Sequence, residues 1–216
     1  MQTPTFDLSD DGQLLLVDRF DISSDGSRMG FEDIAALMNL RVRNIQSDRK
    51  YQGSYQRIAE LMRYLQLPSE NLERFFEQVA FSIMVRNGHG HLKNYGLLYT
   101  STADCRLAPM FDVVTTAVYR CARYEGGPEL EDRTLALKLF AGKRQTRAYP
   151  TTEELLLFGS RVCGVAKPGQ ALTRIAAGMR RTLAEVSSDE RIPKDLLRKM
   201  ADLWSDGMTY ADVPRP

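Results

Sequence analysis

The chain is poor in the residues that would tie it to an oxidising compartment or to a membrane. Its three cysteines, Cys105, Cys121 and Cys163, lie far apart with no C-x-x-C spacing, so neither a disulfide framework nor a zinc-cysteine cluster is suggested. A reducing cytoplasm suits such thiols best. No stretch approaches the roughly 18 apolar residues of a spanning helix. The amino-terminal segment carries Asp7, Asp10, Asp11 and Asp18 in place of the apolar core of a signal peptide. The expectation is a cytoplasmic protein without membrane contact. An excess of either charge is also missing. The 29 basic and 28 acidic residues leave a formal net charge of +1, which argues against direct nucleic-acid binding through a whole-surface positive field. The local basic run of Lys138, Lys143, Arg144 and Arg147 reads as a solvated strand end and turn. Internal repeats and low-complexity tracts are absent.

Histidine is scarcer still, and its placement is informative. Both histidines fall in one polar, glycine-punctuated loop, Arg86-Asn87-Gly88-His89-Gly90-His91-Leu92-Lys93-Asn94. A helical pattern precedes it, and Tyr95 to Tyr99 follows as a strand. A second strand-like piece, Arg106 to Phe111, then delivers Asp112. Phosphoryl transfer uses such a set, because there the protein positions phosphates and holds magnesium instead of forming covalent bonds. An Asn amide oxygen and an Asp carboxylate are hard donors for Mg²⁺, and a nearby Lys neutralises phosphate as a point charge. Protein kinases carry a catalytic loop H-R-D-x-x-x-x-N, then a strand, then a metal-binding Asp after Phe. Here Asn94 ends the loop, Phe111-Asp112 stands at the metal position, and His89 occupies the place of the catalytic base. His89-x-His91 also has the look of a zinc pair, but no third ligand stands at a recognisable spacing.

With 216 residues, 43% of them hydrophobic and 26% charged, the chain suffices for one well-buried domain or one with a helical extension. Leu14 to Val17 reads as a buried strand. Phe31, Ile34, Leu37 and Met38 recur at helical spacing, and residues 39–53 read as a loop. Ser54 is an N-cap candidate for a helix bearing Ile58, Leu61, Met62 and Leu65. Leu67-Pro68-Ser69 ends that helix and caps the next, whose stripe from Leu72 to Met84 predicts a buried central helix. Residues 113–119 are rich in β-formers without alternation, 120–133 read as a loop and 134–140 as a strand. Thr151 and Glu154 have capping-box spacing, Pro168 and Pro193 open two further helices, and residues 206–216 look like a loose tail.

The loop, the Leu107-Ala108-Pro109-Met110-Phe111-Asp112 segment, Leu16 to Asp21, Lys50 to Tyr55 and Leu135 to Leu139 together resemble the HipA family of bacterial serine/threonine kinases. These are the toxin halves of HipA/HipB toxin–antitoxin pairs. The resemblance runs over about the first two-thirds of the chain. It implies a mainly α fold with a small β hairpin, the protein-kinase-like C-terminal large lobe, organised as a single domain over 1–216. Within it, 1–21 would be a residual strand and hinge, 22–150 the catalytic-loop and metal-site core, 151–205 C-terminal helices and 206–216 the tail. It further implies ATP and Mg²⁺ as cofactors, with Asn94 and Asp112 as metal ligands, His91 and Lys93 near the phosphates, and Asp18 and Phe20 in the adenine-binding hinge. The implied partners are a HipB-like DNA-binding antitoxin, a protein substrate such as an aminoacyl-tRNA synthetase, and a separate N-terminal lobe, whose absence would leave the first strands exposed. Two departures stand against an active enzyme. His89 replaces the family's catalytic Asp, and the phosphate-covering loop and ATP-binding Lys are missing. The expected activity is therefore that of an impaired kinase lobe, and the alternative is a non-catalytic pseudokinase or interaction module.

Overall fold

The computed structural model describes residues 2–40, 48–101, 103–122 and 126–212. It opens with an antiparallel hairpin of two short strands, β1 (Phe6–Leu8) and β2 (Leu15–Val17). Leu15 to Val17 form a strand, as their residue types dictate, but the expected run from Leu14 is not buried. Leu14 and Leu15 are each 62% exposed, because among the described residues the two strands of the hairpin pair with no further strand.

The helix expected from Phe31 to Met38 is split. Gly30–Asp33 forms β3, and only Ile34–Leu37 is helical, as α1. Its first three residues, Phe31 to Asp33, are drawn with Gly30 into a three-stranded antiparallel sheet, and Asp33 then caps α1 by accepting from the Ala36 amide at 2.8 Å. Long-range pairing has overridden the local period. Next, α2 (Tyr55–Tyr64) starts as expected at Ser54, whose hydroxyl accepts from the Arg57 amide. The central helix α3 (Ser69–Met84) buries the whole expected stripe, with Phe75, Phe76, Val79, Ile83 and Met84 at 0% exposure. Each such side chain contributes about 1.5–3 kcal/mol of burial. Ser69 does not cap α3. It is the first helical residue, after Pro68 at the cap position.

The sheet is completed by β4 (Gly96–Ser101) and β5 (Asp104–Leu107), in the order β3-β4-β5. Two buried polar side chains of α3 fasten its edge: Asn71 Oδ1 accepts from the Leu107 amide at 2.8 Å, and Gln78 Nε2 donates to the Ala108 carbonyl at 3.0 Å. The strand stops at Leu107, short of the expected Phe111, beside Pro109, which has no N–H for a ladder.

Residues 116–118 form a single 3-10 turn. Where a loop is expected, β6 (Arg120–Ala122) pairs with β7 (Glu129–Glu131). All three residues of β7 are exposed, Leu130 by 50%, so β7 carries no buried face that would mark it in the sequence. Conversely, the strand expected over 134–140 is an irregular segment held by isolated bridges at Thr134 and Lys138, with Leu135, Ala136 and Leu137 all buried. Consecutive burial there reflects a segment enclosed on several sides, not a pleat.

The capping box of Thr151 and Glu154 opens α4 (Thr152–Leu157), which passes through a π turn at Phe158–Val162 to Gly164. Then come α5 (Pro168–Val186), with Pro168 in its first turn, and α6 (Lys194–Met208). The expected tail is not loose as far as Asp212. Asp206 to Met208 complete α6, Thr209–Ala211 form a 3-10 turn, and Tyr210 is buried. Among the described residues no helix is long and apolar enough to cross a membrane.

Candidate active site

The end of α3 sets the loop. Arg86 takes a left-handed φ of 57° and turns the chain. The Asn87 amide donates to the Ser82 carbonyl at 2.8 Å, and Asn87 Oδ1 accepts from the His89 amide at 2.9 Å. Gly88 donates to Thr116 Oγ1, and a Cβ there would stand 2.7 Å from both that hydroxyl and the Thr134 carbonyl, so only glycine fits. Tyr55 reaches up from α2 and donates its hydroxyl to the Gly90 carbonyl at 2.9 Å. A 3-10 turn at Leu92–Asn94 closes the loop. Each of these bonds fixes loop backbone and so sets where its side chains stand.

Three of them meet. Asn94 Nδ2 donates to Asp112 Oδ2 and, at 3.4 Å, to the Asp112 carbonyl. His89 Nε2 lies 3.5 Å from the same carboxylate oxygen. Asp112 is held at φ 53°, a conformation that costs a non-glycine residue about 1 kcal/mol and persists where the surroundings enforce it. Asn94 is 6% exposed, and its Oδ1 has no partner. A carboxylate and a buried amide whose oxygen is unsatisfied suit a hard divalent cation once the amide turns its oxygen to the carboxylate.

A sequence profile of the HipA-like C-terminal domain matches residues 1–188. The chain belongs to that family. A Sinorhizobium fredii protein named "Putative kinase Y4dM" is 30% identical over 109 residues, 50% of this chain and 25% of the relative. A Haemophilus influenzae "Putative kinase" is 26% identical over 130 residues, 58% of this chain and 36% of the relative. The chain thus spans about a quarter to a third of the curated relatives it matches. Among solved structures, HipA in complex with HipB and operator DNA from Shewanella oneidensis MR-1 superposes with a TM-score of 0.66 at 19% identity, over 98% of this chain and 51% of that one. That likeness is one of fold: the HipA-type, mainly α, kinase-like C-terminal lobe.

The other HipA-like positions are placed differently. His91 is buried, its ring 4.6 Å from that of His89 and 5.1 Å from that of Tyr51. Burial pushes its imidazole down from the usual 6.5 to about 4, and the neighbouring His89 and Lys50 add to the drop. A base whose pKa is lowered by folding binds its proton better when unfolded. Its contribution to stability is therefore complete above pH 6.5 and is lost as the pH falls from 6.5 towards 4. Urea midpoints should accordingly fall by about 1–2 kcal/mol equivalent between pH 8 and pH 5, and His91→Gln should flatten that slope. An unchanged slope in the variant would assign the acid sensitivity elsewhere.

Lys93 does not stand free for a phosphate. Its Nζ lies 2.7 Å from Asp33 Oδ2, so the residue that caps α1 also anchors the loop. Phe20 packs with Phe31 and Phe111, ring centroids 5.3–5.9 Å apart, and so ties the hinge segment to the residue before Asp112. Asp18 is exposed beyond β2, its amide donating to the Thr5 carbonyl. Sequence reasoning missed Asp33, Tyr51, Tyr55 and Thr116 as supports of the loop. Only Asp33 had a local signal, as a cap residue before Ile34-Ala35-Ala36-Leu37.

Proposed function

We propose that this chain is a HipA-type serine/threonine kinase lobe that holds MgATP through Asn94 and Asp112, impaired because His89 stands where a catalytic carboxylate belongs. The observation that carries this reading is the convergence of His89, Asn94 and Asp112, with the Asn94 amide nitrogen on the carboxylate and its buried Oδ1 unpartnered. Mg²⁺, when bound, supplies charge neutralisation at phosphate oxygens. Asn94 and Asp112 hold it, while His91, buried and neutral, adds no competing positive charge. A groove of about 380 Å³ beside Tyr51, lined by Arg57, Lys138 and Arg147, offers the acceptor protein a basic approach. The basic run of the sequence is thus shared out, with Lys138 and Arg147 both at this groove.

A HipB-like antitoxin is the proposed partner, supported by the complex in which the Shewanella HipA occurs. An aminoacyl-tRNA synthetase as substrate follows from the family resemblance, and the cytoplasm as location from the scattered thiols and the acidic amino-terminal segment. The second reading is a non-catalytic interaction module completed by a separate N-terminal lobe. It is favoured by the exposed apolar side chains of the first hairpin, Phe6, Leu14, Leu15, Leu16 and Val17.

Calorimetric titration of MgATP separates the two. The first reading expects weak binding that requires Mg²⁺ and weakens at least about tenfold in Asp112→Asn. An absence of binding, or binding indifferent to Asp112, defeats it in favour of the module.

A further inference from the structure

We infer that His89, Asp112 and Asn94 form a divalent-cation centre that prefers Zn²⁺, and after it Mn²⁺, over Mg²⁺. The inference rests on the preceding reading in taking Asn94 and Asp112 as ligands, and adds His89 as a third.

The separation of 3.5 Å between His89 Nε2 and Asp112 Oδ2 is too long for a good hydrogen bond. It is the right separation for two ligands of one ion. With metal–ligand distances of about 2.1 Å, a nitrogen and an oxygen at the tetrahedral angle stand roughly 3.4 Å apart. The loop holds His89 in place through its amide on Asn87 Oδ1 and through the His91 ring 4.6 Å away. Asn94 supplies a third donor when its amide is turned. Its buried Oδ1 has no partner, while its amide nitrogen faces the carboxylate. The two ends of an amide have the same shape. Turning the oxygen towards Asp112 sets two acceptors together, an arrangement that needs a cation between them.

The open side of the site is the side of the protein surface: the side chains of His89 and Asp112 are 35% and 50% exposed, which leaves room for water or a phosphate oxygen to complete the coordination. The imidazole decides the choice of ion. Mg²⁺ keeps to oxygen donors in octahedral geometry, whereas imidazole suits zinc and the later transition ions. Among the described residues no three His, Cys, Asp or Glu side chains converge. The centre therefore has two such ligands and an amide oxygen, and binds more weakly than a structural zinc site.

The test is calorimetric titration of the full chain with Zn²⁺, Mn²⁺ or Mg²⁺ alone, without nucleotide, with the histidine ring resonances followed by NMR. The expected result is Zn²⁺ binding at least about tenfold tighter than Mg²⁺, with the His89 resonance shifted. His89→Asp should bring the order back towards Mg²⁺. The near-isosteric Asp112→Asn, which keeps the shape of the site, should weaken Zn²⁺ at least about tenfold. Zn²⁺ affinity unchanged in both variants, or a His89 resonance that ignores the metal, overturns the inference. Zinc bound through His89 in a chain that takes no MgATP would defeat the kinase reading and leave the centre standing. MgATP binding that needs Asp112, with zinc indifferent to His89, would do the reverse.

Discussion

His89→Asp is expected to raise MgATP-dependent phosphorylation of serine- or threonine-containing protein by about two to four orders of magnitude, the range that a positioned general base contributes. Three features of the site lead there. The position is already built: the His89 amide is fixed by Asn87, and its side chain reaches to within 3.5 Å of the Asp112 carboxylate. The partners of a metal site are present in Asn94 and Asp112. What the parent lacks is a group that stays anionic near a cation while accepting a hydroxyl proton, since imidazole is neutral or cationic near neutral pH. The variant places a second carboxylate near Asp112, so its gain should depend on divalent metal, which relieves their repulsion. Transfer of labelled phosphate from ATP to a serine/threonine peptide mixture measures it. Equal rates in parent and variant, or a gain that survives Asp112→Asn, would show that the loop does not perform this chemistry.

Gly207→Ala is expected to cost about 3 kcal/mol, at the upper end of overpacking effects. A Cβ at this position in α6 would stand 1.7 Å from the Met84 carbonyl oxygen and 2.7 Å from its carbon. These are backbone atoms at the end of the central helix and cannot swing aside as a flexible side chain does. α6 must lift from α3, which breaks the 3.1 Å bond from Trp204 Nε1 to Thr115 Oγ1 and unseats Tyr210. Arg86, whose guanidinium lies 4.8 Å from the Tyr149 ring and 5.9 Å from that of Tyr210, loses part of its stack at the first residue of the loop. The damage should therefore reach the candidate site. Urea unfolding followed through Trp204, the one tryptophan of the chain, gives the cost, with Gly178→Ala as its counterpart. Gly178 sits inside α5 with nothing within 4 Å of a Cβ, so that change should stabilise by about 0.5–1 kcal/mol. Equal midpoints for the two variants would mean that the contact between α6 and α3 does not hold the fold together.

The two substitutions also separate what could be read along the chain from what could not. The buried stripe of α3, the Ser54 cap, the Thr151–Glu154 box and the Pro168 start were readable because helices are specified by contacts within about four residues. The polar loop and Asp112 were readable because phosphoryl-transfer chemistry demands particular residue types in order. The strands were less so. β3 lay hidden in a helical period, β6 and β7 in a loop, and residues 134–140 imitated a strand through burial alone. The packed end of α6 looked like a tail, since no local pattern shows Gly207 lying against Met84.

The sequence by itself determined the helical frame, the family and the presence of His89, Asn94 and Asp112. Only the closed fold brings Lys93 to Asp33 across 60 residues of chain, and only there do Asn71 and Gln78 of the central helix fasten the sheet edge. The reason is physical. Helix periods and caps are satisfied locally, whereas strand pairing, buried polar partners and a cation site require groups far apart in sequence, brought together only when the core closes.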